Sequence, residues 1–180
     1  MKSGKISIAV ACGLIAGLAL LLLTTILYLG GVNAFLGYGA YLGYLILIVA
    51  AVASAVLEKK AQNGYLEFKE ALKAAFLVFV ISLALQSIFN WILMNFIDTG
   101  FRNALERAIL DKTEKFMQSM KIDQDVIDKS LDEQRGKNQY SLPKILMGLC
   151  FSYVFSFLIS LLIAAIVKKK KPEFQDTAFK

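Results

Sequence analysis

The sequence predicts an all-α integral membrane protein with four transmembrane helices and an external helical hairpin between the third and fourth. Three observations carry this reading. The mean hydropathy is +0.60, with 57% hydrophobic against 19% charged residues, which is more apolar than a soluble domain. Four uncharged segments, two of them joined in one run, match the thickness of a bilayer. The one long charged stretch, 98–144, keeps a helical apolar period where a linker would show none.

Between Lys5 and Glu58, 52 consecutive residues carry no Asp, Glu, Lys or Arg. As continuous helix they would extend about 78 Å, more than twice the hydrocarbon layer. Gly30-Gly31-Val32-Asn33 favours a turn, which divides the run into spans at 6–29 and 35–57. Lys2 and Lys5 ahead of the first span, with Val32-Asn33-Ala34 behind it, imitate a secretory signal. The apolar run exceeds the usual signal core of about 7–15 residues, so it reads as a retained anchor.

Further uncharged runs place a third span at 74–97 and a fourth at 145–167. Tyr65, Phe68 and Leu72 recur at helical spacing opposite Glu67, Lys69, Glu70 and Lys73, so the third helix should begin ahead of the membrane. Ser141 and Pro143 suit the first turn of the fourth, and Pro172 follows its end.

Four spans put both termini on one side. The N-terminus, 58–73 and 168–180 then carry eleven basic and five acidic residues, whereas 98–144 carries nine of each. By the positive-inside rule the termini are cytoplasmic. The net charge of +6 and the pI near 9.3 thus record insertion and do not call for nucleic acid. Lys168, Lys169, Lys170 and Lys171 abut the last span and read as a topogenic clamp on anionic lipid headgroups.

In the external segment Phe101, Leu105 and Ile109, followed by Phe116, Met117 and Met120, fall on one helical face, with Asp98 or Thr99 as N-cap. A second helix, capped by Asp123 and closed by Gly136, carries Val126, Ile127 and Leu131. The stripe needs cover, from the other helix, from the lipid interface or from a partner protein.

Within the membrane, Ser82, Gln86 and Asn90 line one face of the third span. Such a face should point into the bundle, as interhelical hydrogen bonding or as a polar substrate path. No acidic or basic group accompanies them in a span, which favours the first. Gly13 and Gly17, Gly39 and Gly43, and Gly148, Ser152, Ser156 and Ser160 repeat every four residues and read as helix-packing stripes, within one bundle or between copies. Tyr28, Tyr38, Tyr41, Tyr44, Trp91 and Tyr140 read as an aromatic belt at the external interface. Cys12 and Cys150, near opposite span ends, read as small buried residues. No histidine, phosphate loop, metal cluster or nucleophile elbow occurs, so no catalytic, cofactor or metal site is assigned and the chain reads as non-enzymatic.

Gly64-Tyr65-Leu66-Glu67-Phe68-Lys69-Glu70-Ala71-Leu72-Lys73, entering the third span, and Asn95-Phe96-Ile97-Asp98, leaving it, resemble the domain-of-unknown-function family 4199. The similarity in element order runs over most of the chain. It implies a multi-pass protein of the bacterial inner membrane and brings no activity, substrate or site residue. A proline often follows that aspartate in the family, where Thr99 stands here. The expected role is a membrane scaffold, assembly or envelope accessory subunit, partnered by the bilayer and by a membrane protein or a second copy. The alternative is a small transporter or permease-like subunit using the Ser82, Gln86 and Asn90 face.

Overall fold

The computed structural model describes residues 7–37, 39–135 and 138–169. Its helices are α1 (Ile8–Leu29), α2 (Gly31–Phe35), α3 (Gly39–Ala61), α4 (Phe68–Ile92, continued by a π turn at Leu93–Ile97), α5 (Thr99–Ser119), α6 (Gln124–Gln134) and α7 (Leu142–Val167). Four segments are long and apolar enough to cross a membrane: Ile8–Leu29, Tyr41–Ala61, Phe68–Ile97 and Leu142–Val167.

The second long helix begins at Gly39, whereas the sequence placed a span at 35–57. The break is longer than a turn. Gly31, at φ +83°, opens the short helix α2, and Phe35 and Leu36 pack into an apolar cluster at the end of the bundle. Past its charged end, α3 closes on a left-handed Asn63, with Gly64 donating to the Lys59 carbonyl at 2.9 Å and Asn63 to that of Lys60 at 3.2 Å. The chain re-enters as α4 after only a few residues, with the Glu70 carboxylate accepting the Glu67 N–H at 3.4 Å.

α4 is the centre of the bundle, packing on α1, α3 and α7. The contact surfaces are built from small side chains. Ala51, Ala55, Ala71, Ala75 and Ala164 are fully buried, while Ile15, Leu18, Leu22 and Ile166 face outward. That inversion suits a lipid solvent, where close backbone approach drives association and exposed leucines carry no penalty.

One end of the bundle carries the start of α1, the end of α3 and the end of α7. Here Leu66, buried, exchanges a pair of backbone hydrogen bonds with Lys169 at 2.9 and 2.8 Å. At the other end the π turn, closed by Asp98 N–H on the Leu93 carbonyl at 2.9 Å, redirects the chain into α5. α5 lies across the ends of α1, α2 and α4, and α6 folds back on α5. Between them Lys121 takes the left-handed conformation and Ile122 donates to the Met117 carbonyl at 3.2 Å, a six-residue closure that satisfies the last turn of α5.

Candidate functional site

The polar residues of α4 and the glycines of α1, two separate patterns in the sequence, are the two sides of one interface. The buried Ser82 hydroxyl donates to the Gly13 carbonyl at 2.9 Å, and the Gln86 amide nitrogen donates to the Thr24 hydroxyl. Such contacts require close approach. A Cβ on Gly13 would lie 3.0 Å from Ile81 Cβ, and one on Gly17 2.7 Å from Leu85 Cδ1. The side-chain amide oxygens of Gln86 and Asn90 are buried without a hydrogen-bond partner. Thr24 gives no signal in the sequence, because it and the adjacent Thr25 set up no helical period in a leucine-rich helix.

Gly39 and Gly43 serve the α1–α3 contact, where an added Cβ would lie 2.6 Å from Leu27 Cδ2 and 3.3 Å from Leu20 Cδ2. The α7 stripe is only half a packing surface. Ser156 and Ser160 are buried, Ser152 is half-buried, and Gly148 is exposed with nothing within 4 Å of an added Cβ. Gly148 therefore mediates no packing in this bundle. Toward the α5 end α7 stands away from α3, leaving a lateral cleft of about 520 Å³ floored by Leu20, Thr24, Phe79 and Gln86 and flanked by Tyr44, Phe151 and Phe155. Cys150 is exposed, against the expectation of a buried thiol, while Cys12 is half-buried against the core.

Where α4 leaves the bundle, Asn95 joins three segments. Its amide nitrogen donates to the Trp91 carbonyl at 3.0 Å and to that of Tyr140 at 2.9 Å. Its oxygen accepts from Arg102 at 3.3 Å and from Asn138 at 3.1 Å. Glu106 accepts the Gln139 N–H at 2.8 Å. Asp98 accepts the Phe101 N–H at 2.7 Å as N-cap of α5 and the Tyr28 hydroxyl at 2.8 Å from the end of α1. Those two donors, Phe101 first, hold the Asp98 carboxyl below its ordinary range. Burial, with the nearby Glu106 charge, pushes the Tyr140 phenol up to about 12. The stretch that resembles the family at 95–98 thus supplies both anchors of this end. Thr99 occupies the first position of α5, where a proline's missing N–H costs nothing.

The Phe101, Leu105 and Ile109 stripe is no open interaction surface. Leu105 is fully buried, and all three pack in the cluster with Tyr28, Val32, Phe35, Leu93, Met94 and Tyr140. The cover is the bundle's own end, a long-range contact that helical periodicity does not encode. Tyr28 and Tyr140 consequently belong to this cluster, Tyr41 and Tyr44 are exposed, and Tyr38 lies outside the described residues.

At the opposite end the lysine run is gripped by the other family-like stretch. Lys168 lies over the Phe68 ring at 5.7 Å and Lys169 over the Tyr65 ring at 5.5 Å, and Lys59 donates to the Val167 carbonyl at 2.8 Å. Lys170, Lys171 and Gly136 lie outside the described residues. A groove between α5 and α6 mixes Glu106, Asp111 and Glu114 with Arg107 and Arg135, so it selects neither sign of ligand. Among the described residues no three His, Cys, Asp or Glu side chains are grouped to hold a metal ion.

No curated protein and no solved structure matches the chain. The family model described as protein of unknown function (DUF4199) matches residues 11–169, nearly the whole length, and the chain belongs to that family.

Proposed function

We propose that this is a non-enzymatic multi-pass protein of the bacterial cell membrane, an assembly, scaffold or envelope accessory subunit. Both termini are cytoplasmic, and α5 and α6 form the external segment. One observation carries the reading: of the polar face a substrate path would need, the Ser82 hydroxyl and the Gln86 amide nitrogen are engaged with Gly13 and Thr24 of α1, while the Gln86 and Asn90 side-chain oxygens stay buried and unpaired. The two engaged groups hold two helices together, at about 0.6 kcal/mol per contact on average. The partners are the bilayer, with anionic headgroups at Lys168–Lys171, and a membrane protein or a second copy.

The lateral cleft beside Gln86 is the observation that favours the alternative, a small transporter or permease-like subunit. Replacing Gln86 and Asn90 by Leu separates the two. A folded double variant that still co-purifies with the same proteins in mild detergent supports the accessory reading. A folded variant that loses transport of an identified solute overturns it. Labelling of single cysteines at Lys115 and Lys168 from either side of intact cells tests the orientation.

A further inference from the structure

We propose that the far half of α5 rests on the outer leaflet of the bilayer, with Phe116 and Met120 inserted into the layer between headgroups and acyl chains. This rests on the membrane reading above. Leu105, Ile109, Phe116 and Met120 share one helical face, since separations of seven and eleven residues return within about 20° of the same direction. The near half of that face turns toward the bundle end, where Leu105 is 0% exposed. That direction is toward the interior of the membrane. Lys112, donating to the Leu36 carbonyl at 3.1 Å, marks the edge of the bundle. Beyond it α5 continues for about 10 Å with its direction unchanged. Among the described residues nothing covers it, and Phe116 and Met120 are 63% and 59% exposed.

The level of the helix identifies the occupant. Phe96 and Ile97, exposed by 68% and 61%, belong to the apolar α4 segment, and α5 begins two residues after Ile97. α5 therefore starts where the lipid-facing surface stops. A helix lying at that boundary with an aromatic and a methionine turned inward has the form of an interfacial amphipathic segment, and the nearby Lys115 suits the headgroup layer. The apolar stripe is thus covered by protein in its first half and by lipid in its second.

Full-length protein in vesicles of phosphatidylethanolamine and phosphatidylglycerol, with and without lipids brominated in the acyl chain, tests this through tryptophan quenching. Trp91, the sole tryptophan, reports on the membrane reading by itself. If bromine leaves it unquenched, that reading fails, and this proposal with it. In a Trp91→Phe background, Phe116→Trp is expected to be quenched several-fold more by bromolipid than Gln118→Trp, which points the opposite way. Stronger quenching by aqueous iodide at position 116 than at position 118 would overturn the proposal. Protection of position 116 that persists in dilute detergent without lipid would overturn it too, by pointing to a protein occupant. Because Phe116 is exposed, these substitutions leave the buried cluster intact.

Discussion

The Tyr28 hydroxyl donates to the Asp98 carboxylate at 2.8 Å, joining the end of the first long helix to the start of α5 across 70 positions of sequence. The same carboxylate caps α5 through the Phe101 N–H. One side chain therefore fixes both where α5 begins and which way it lies over the bundle.

Acid should loosen this end. A carboxyl held below its ordinary range stabilises the fold fully above the unfolded value of about 3.9, and that contribution is lost as pH falls through the depressed folded value. The melting temperature of detergent-solubilised protein is expected to fall through that acid window. In Asp98→Asn, which still accepts hydrogen bonds but does not titrate, the fall should be shallower. Identical pH profiles for the two proteins would remove Asp98 from the account.

Alkali should act on the same end through Tyr140. Its phenol is raised to about 12, so stability is intact below the unfolded tyrosine value of about 10 and declines as pH rises past it. Spectrophotometric titration should show Tyr140 among the phenols that ionise late, and Tyr140→Phe should remove the step near pH 12 while flattening the alkaline decline.

Truncating Leu105 separates a covered stripe from an open one. Leu105→Ala empties a fully buried site and is expected to cost about 2–5 kcal/mol in detergent unfolding. Phe116→Ala, at an exposed position, should leave detergent stability within about 0.5 kcal/mol. Equal effects at the two positions would contradict the division of α5 into a covered and an uncovered half.

Asn95 is the other anchor of this end, beside Asp98. Asn95→Leu leaves the Tyr140 carbonyl and the Asn138 amide without their partner, at about 1–3 kcal/mol. Hydrogen exchange should quicken around 138–144 before it does in α1 or α3. Uniform acceleration along the chain would assign Asn95 a global role in place of a local one.

The four long helices were legible because absence of charge over a bilayer's thickness is a property of composition, and α5 and α6 because their apolar periods, and the Asp98 cap of α5, are local. Asp123 stands at the start of α6 without a side-chain cap bond. What periodicity could not supply was the partner of each face. Ser82 and Gln86 were recognisable as a polar face, but their acceptors on α1 lie about 60 to 70 positions away. The stripe at Phe101, Leu105 and Ile109 was recognisable as needing cover, yet Val32 and Phe35, which help cover it, looked like part of a turn and a span. Gly148 failed for a related reason: spacing by fours marks a helix face without saying whether another helix arrives there.

That distinction gives the sharpest comparison. An alanine at Gly13 would bring its Cβ to 3.0 Å from Ile81 Cβ, an atom fixed to the α4 backbone that cannot swing aside. The helices must separate, which stretches the Ser82 hydroxyl away from the Gly13 carbonyl. Overpacking of this kind costs about 1–3 kcal/mol. An alanine at Gly148 meets nothing within 4 Å and relieves the helix of a glycine, worth up to about 1 kcal/mol in its favour. Unfolding of the two variants in mixed micelles should therefore shift in opposite directions. If Gly13→Ala is tolerated as well as Gly148→Ala, the approach of α1 to α4 does not depend on the missing side chain.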